Sequence, residues 1–366
     1  MPPIASDSMS PDPLGPIKAL TGPYLGMNEP VRRRRMRRVK FLTGKASTSF
    51  HLMSRLCEGV PFFDDTEKEA LALVLRRMAR FCGLHLLTYC VMGNHFHALV
   101  RVPDRQEWLK TFEGNAGEAR LLIHLRTLYS ETFVEMLSSQ LARWRQDGRE
   151  DLALACINGI KARFCDISIF CKEVKARFAR WYNKRHSRRG VLWMARFMSV
   201  LVEGHKTAIE KSQAYSELDA LKVMAAYIDL NPVRAGLVET ADAYRWSGWG
   251  AAVCGDADAI AGLCAVVECE PRQWSRGGGR RAYASWVSER RKEPGQQPSS
   301  SDGSLLESVR AFRQGIAIGS VTFVETIFEQ CREAFGPKRQ HGARPIDHAL
   351  IPHLVTLRDL RKRLPE

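Results

Sequence analysis

Nowhere in this sequence do about 18 apolar residues follow one another, and no basic stretch leads into a signal-like apolar core. A membrane-spanning helix and secretory export are therefore not expected. Paired cysteines are missing too: Cys57, Cys82, Cys90, Cys156, Cys165, Cys171, Cys254, Cys264, Cys269 and Cys331 stand singly, with no CxxC. Closed zinc sites bring their ligands in close pairs, and disulfide frameworks belong to oxidising compartments, so reduced core thiols are expected instead. No internal repeat is present. Acidic side chains are in deficit, with 40 Asp and Glu against 55 Lys and Arg, for a net charge of +15 and a pI near 9.6. Such a surplus favours a polyanionic partner, and without a membrane signal that partner is nucleic acid.

What is present is the composition of a globular chain, 45% hydrophobic and 26% charged over 366 residues, enough for one large domain or two smaller ones. Residues 1–30 are rich in Pro, Ser and Gly and too poor in apolar clusters to fold alone, so they read as a disordered leader. The leader runs into Arg32, Arg33, Arg34, Arg35, Arg37, Arg38 and Lys40, an arm suited to tracking phosphates or, in the plainer reading, a solubilising tail. Strand alternation begins near Thr48. Thr66 and Glu69 have capping-box spacing, and Leu71, Val74, Leu75, Met78 and Phe81 then recur at helical spacing until Gly83. Leu84 to Met92 and His95 to Val102 read as strands joined by a Gly93-Asn94 turn.

Residues 105–186 are helical and interrupted, with an insertion near 114–160. The helix from Ile167 to Asn183 carries Lys172, Lys175, Arg177 and Arg180 on a basic face. A strand over Leu192–Val202 and a helix ending at Asn231-Pro232 follow. The order strand, helix, strand, strand, helix, strand predicts an α+β, ferredoxin-like split βαβ domain over 31–250, an antiparallel sheet with helices on one face. Residues 251–303 read as a linker, and 304–366 as a small helical extension, broken by Gly315 and Gly319 and suited to a helix-turn-helix or a packing element.

Alternate strand residues share a face, so His95 and His97 project together and form half of a metal site, or else two hydrogen-bonded histidines of an ordinary sheet. Tyr227 and Asn231 are four apart and share a helix face. A phenol can attack a phosphodiester and conserve its energy in a phosphotyrosine bond, but at neutral pH it needs help, such as a metal polarising the phosphate. Asn231 would be the third ligand through its amide oxygen; its plainer role is capping the helix before Pro232. Tyr227 could equally be a core aromatic.

Cys90-Val91-Met92-Gly93-Asn94-His95-Phe96-His97-Ala98-Leu99-Val100 resembles the HUH motif of the single-tyrosine (IS200-like) transposases, and Tyr227-Ile228-Asp229-Leu230-Asn231-Pro232-Val233-Arg234-Ala235-Gly236-Leu237 resembles the tyrosine motif of their REP-associated branch. Arg185-His186 to Gly190, Leu192-Trp193 and Arg196-Phe197 are similar to the strand region between them, and the likeness runs over residues 34–250. The resemblance implies a DNA strand transferase that cuts single-stranded or hairpin DNA at repeats through a 5′-phosphotyrosine link, with Mg²⁺ or Mn²⁺ on His95, His97 and Asn231. It also implies a cytoplasmic enzyme on a bacterial nucleoid, acting within one subunit or as a homodimer. The insertion and the extension depart from the family pattern. Trp193 and Phe197 suit the core better, and Arg196 suits DNA. An inactive DNA-binding protein, a replication initiator or relaxase, and a phosphodiesterase without a covalent step are the rival readings.

Overall fold

The computed structural model describes residues 47–194, 197–204, 219–288, 311–335, 337–346 and 353–358. The Pro-rich leader, the arginines at 32–38 and Arg196 lie outside the described residues. The first half runs β1 (Thr48–Arg55), α1 (Asp65–Phe81), β2 (His85–Val91) and β3 (His95–Val102). The inserted helices α2 (Arg105–Leu109), α3 (Gly117–Leu125), α4 (Glu131–Gln146) and α5 (Glu150–Lys161) come next, then α6 (Ile167–Arg185) and β4 (Met198–Val202). These four strands lie in the order β2-β3-β1-β4, every neighbour antiparallel.

Local chemistry accounts for the elements. The side chain of Asp64, not Thr66, caps α1: it accepts the Glu67 amide proton at 2.8 Å while Glu67 accepts the Asp64 amide proton at 2.9 Å. The capping box is therefore shifted by two residues from the Thr66/Glu69 spacing, because the chain already turns helical at Asp65. Gly83 ends the helical run with φ +66°, a conformation that glycine adopts without strain. The strand expected over Leu192–Val202 pairs with β1 only from Met198; Trp193 makes an isolated bridge to Leu56 and is buried.

Helices cover both faces of the sheet rather than one. Phe50, Leu52, Phe96, Ala98 and Val100 point into a core closed by α1 and α6. Leu87, Leu99, Val200 and Val202 point the other way, beneath α7 (Ala220–Asp229). Strands apolar on both sides need cover on both sides, which accounts for the difference. After α8 (Asn231–Arg234) come α9 (Gly248–Val253), α10 (Ala257–Val267), α11 (Pro271–Ser275) and α12 (Gly278–Ser288). The expected linker is thus folded through residue 288, with Leu263, Trp274 and Tyr283 in the second core. α10 lies along edge strand β2; a Cβ on Gly262 would sit 2.4 Å from the Leu86 carbonyl oxygen, so only glycine permits this approach. Ion pairs Arg76–Asp256 and Arg80–Asp258 tie α10 to α1.

The C-terminal part is not a purely helical extension. β5 (Ala317–Gly319) adds parallel to β4, and α13 (Val321–Gln330), β6 (Ala343–Pro345) and β7 (Val355–Leu357) complete a seven-stranded sheet in the order β2-β3-β1-β4-β5-β7-β6. β5 takes up backbone groups of β4 at Leu201 and Val202 that would otherwise form an open sheet edge. Gly315 precedes this short strand by two residues and Gly319 is its last residue.

Candidate active site

β3 places His95, His97 and Leu99 on the face turned toward α7, as the two-residue period of a strand requires. The neighbouring strand adds a third imidazole. His51 of β1 opposes Leu99 in the register, so it reaches His97 diagonally across the pair. Its Nε2 is 2.8 Å from His97 Nδ1, the two rings lie edge to edge and nearly coplanar with centroids 5.0 Å apart, and its Nδ1 is 2.8 Å from the Phe312 carbonyl oxygen. His95 lies edge-on to His97 with centroids 5.0 Å apart, and its Nδ1 is 2.6 Å from Asn94 Oδ1.

α7 carries the tyrosine and is anchored two residues further on. Asp229, with no solvent exposure, accepts hydrogen bonds from Thr88 Oγ1 at 2.9 Å and Tyr283 Oη at 2.6 Å. A register shift in β2 between Leu86 and Thr88 lets Leu87 and Thr88 both serve this face. Burial pushes the Asp229 carboxyl up to about 7 against the opposing effect of its donors.

Held this way, Tyr227 is 4% exposed, with its ring centroid 5.9 Å from that of His51 and 5.9 Å from that of His97, edge-on to both. Phe312 covers it at 4.7 Å. The meeting of tyrosine and histidines occurs within one chain. Burial raises the phenol above its usual value, while the charges of Arg234 and Arg313 act to lower it. The Arg234 guanidinium lies over the Tyr227 ring, 4.8 Å from its centroid, and donates to the Tyr227 carbonyl oxygen at 2.9 Å.

Asn231 is not on the same helix as Tyr227: α7 ends at Asp229, and Asn231 opens the short α8 beside Pro232. Its amide nitrogen donates to the Tyr227 and Ile228 carbonyl oxygens at 2.9 and 3.1 Å, which is the capping role. Its oxygen is the atom left to offer a ligand.

Burial lowers His51 and His95 to about 4 and His97 well below the ordinary value, so all three imidazoles are neutral at physiological pH. In His95 and His97 a hydrogen-bond partner occupies Nδ1, leaving Nε2 as the remaining ring nitrogen. Neutral imidazoles oriented through Nδ1 are a donor set that fits a divalent ion. Among the described residues no group of three or more His, Cys, Asp or Glu is arranged to hold a metal.

The basic residues of α6 are elsewhere. Lys172 is exposed, Lys175 is half-buried with its ammonium 3.3 Å from the Met194 carbonyl oxygen, and both ride on the helix that packs against the opposite face. Arg177, expected beside them, is buried and 3.2 Å from Glu173. Arg55, Arg234 and Arg313 are instead the cations that act on the histidines and tyrosine. Sequence reasoning missed His51, Asp229, Arg234 and Phe312-Arg313. The parity of His51 within its strand was a signal; the register that brings it to His97 was not readable.

All ten cysteines are free thiols, and among the described residues no helix is long and apolar enough to cross a membrane. No family model matches the chain, and no curated protein matches it in sequence. A search of solved structures found similarity to a REP-associated tyrosine transposase bound to a REP hairpin, at 14% identity and a TM-score of 0.31, over 63% of this chain and 87% of that one. At that TM-score the likeness is too loose to assign a family.

Proposed function

We propose that this chain is a metal-dependent DNA strand transferase of the single-tyrosine HUH type, which cleaves and rejoins single-stranded or hairpin DNA at repeats. The observation that carries the reading is the meeting of Tyr227 with His51 and His97 in one chain. The strand order β2-β3-β1-β4, with α1 and α6 as crossovers on one face, supports a ferredoxin-like core beneath the additions.

In this mechanism the Tyr227 hydroxyl oxygen attacks the scissile phosphorus. The O–P bond to tyrosine forms, the P–O3′ bond breaks, the phenol loses its proton, and the departing 3′ oxygen takes one up. The 5′ end stays on the protein as a phosphotyrosine, and attack by a 3′ hydroxyl reverses the step without ATP. His95 and His97 through Nε2, with the Asn231 oxygen, would hold Mg²⁺ or Mn²⁺, whose contribution is to polarise the phosphate. Arg234 and Arg313 supply positive charge beside the phenol, favouring both phenolate and phosphate. The net charge of +15 suits a DNA partner, with Arg32–Arg38 as an arm on the backbone and Lys172, Lys175 and Arg196 as further contacts. A cytoplasmic place on a bacterial nucleoid goes with this reading.

The cover of Phe312 over a tyrosine only 4% exposed favours a second reading, a DNA-binding protein that no longer cuts. Incubation with end-labelled hairpin DNA and Mn²⁺, followed by a denaturing gel, separates the two. The strand-transferase reading expects labelled DNA migrating with the protein. Binding in a native gel with no denaturant-resistant adduct supports the second.

A further inference from the structure

We propose that His51, with the Phe312 carbonyl behind it, is a positioning residue that fixes the tautomer of His97 and aims its Nε2 at the metal; this rests on the metal-site reading of His95 and His97. A backbone carbonyl can only accept, so the 2.8 Å contact between Phe312 O and His51 Nδ1 places the proton of a neutral His51 on Nδ1. His51 Nε2 is then a bare lone pair. It accepts from His97 Nδ1, 2.8 Å away, which puts the proton of His97 on that nitrogen and leaves Nε2 bare. The chain carbonyl, imidazole, imidazole thus has one consistent arrangement of hydrogens. The two ring planes lie within 15° of each other with centroids 5.0 Å apart, the near-coplanar, edge-to-edge arrangement that the hydrogen bond demands.

The arrangement has a mirror on the other candidate ligand, where Asn94 Oδ1 takes the Nδ1 proton of His95. The two supports differ in origin. Asn94 is the neighbour of His95 in sequence, whereas the chain behind His97 begins in the C-terminal segment that also packs Phe312 on Tyr227. One short piece, Phe312-Arg313, therefore touches the nucleophile with a ring, acts on it with a charge and orients His51, the partner of His97, with a carbonyl. The C-terminal strands, which seat this piece through β5, become part of the catalytic apparatus rather than an appendage.

Long-range ¹H–¹⁵N spectra of histidine-labelled, metal-free protein read the tautomers directly. The expected result is a protonated Nδ1 and bare Nε2 on both His51 and His97 in the parent protein. His51→Gln keeps an acceptor at the place of Nε2 and should preserve the His97 tautomer, with Mn²⁺ affinity within a fewfold of the parent in calorimetry. His51→Phe keeps the ring and removes the acceptor; His97 should then populate both tautomers, and Mn²⁺ affinity should fall about 10- to 100-fold. A parent His97 protonated on Nε2 overturns the proposal without any variant, as does a folded His51→Phe protein with unchanged tautomer and affinity. Failure of the metal-site reading looks different: the parent then shows the stated tautomers and binds no Mn²⁺ at all.

Discussion

The two faces of the sheet are built from the same strands and differ in what they bury. Toward α1 and α6 the strands present Phe50, Leu52, Phe96, Ala98 and Val100, an apolar surface with no histidine or carboxylate, to which β2 adds Tyr89. Toward α7 the same strands present His51, His95 and His97, and the helix returns Tyr227 and Asp229. Burying an apolar side chain stabilises by about 1.5–3 kcal/mol, whereas a buried polar group only breaks even when every hydrogen bond is made. Both faces bury an apolar core, and the one toward α7 in addition holds reactive groups that themselves add little or no stability. Arg177 qualifies the contrast, being a buried cation beside the apolar face, but its partner Glu173 is on its own helix.

That contrast can be broken by substitution. Phe178 is fully buried between Phe63 and Trp193, and Phe178→Ala should lose about 3–5 kcal/mol in urea unfolding while Mn²⁺ affinity of the folded protein stays put. On the other face His97→Leu should remove Mn²⁺ binding and DNA cleavage, retain most DNA binding, and cost about 1–3 kcal/mol because His51 loses its partner. Joining it with His51→Leu removes both ends of that hydrogen bond but leaves the Phe312 carbonyl oxygen without its donor, so the double variant should be less unstable than the sum of the two single losses without recovering metal. A double variant as unstable as the sum of its parts would mean that the histidines are a structural network first.

Asp229 sharpens the comparison through pH. Its carboxyl has a folded value of about 7 against 3.8 when unperturbed, so the folded state holds the proton more tightly. Stability contributed by this group is present below about 4 and is lost as pH rises toward about 7. Asp229→Asn should flatten the stability profile between those limits, read by thermal unfolding across the range; an unchanged slope would place the titrating group elsewhere. The smallest effect is expected from Lys172→Ala with Lys175→Ala: remote from Tyr227, the pair should weaken hairpin binding at low salt by a few-fold and leave the cleavage rate of bound DNA unchanged.

Much of the candidate site was legible because it depends on local periods. The parity of His95 and His97 follows from strand geometry alone, as does the hairpin turn at Gly93-Asn94. Asn231 was placed on the helix of Tyr227 because a helix pattern does not show that α7 ends at Asp229, whereas its plainer role, capping that end before Pro232, was legible. His51 and Phe312 were missed for a different reason: their contact joins residues 261 apart, and no local period encodes such pairing. The C-terminal strands were read as helical because three-residue strands are too short to display alternation.

Whether the polar face carries a tyrosine nucleophile is read by peptide mapping of the protein after incubation with end-labelled hairpin DNA and Mn²⁺, run beside Tyr227→Phe. The substitution removes one oxygen from a ring packed against Phe312 and the histidines, so folding and hairpin affinity should be retained. The account predicts label on the single peptide containing Tyr227 in the parent protein, and neither adduct nor cleavage in the variant. Cleavage by Tyr227→Phe at the parental rate, or label on any other residue, would contradict it.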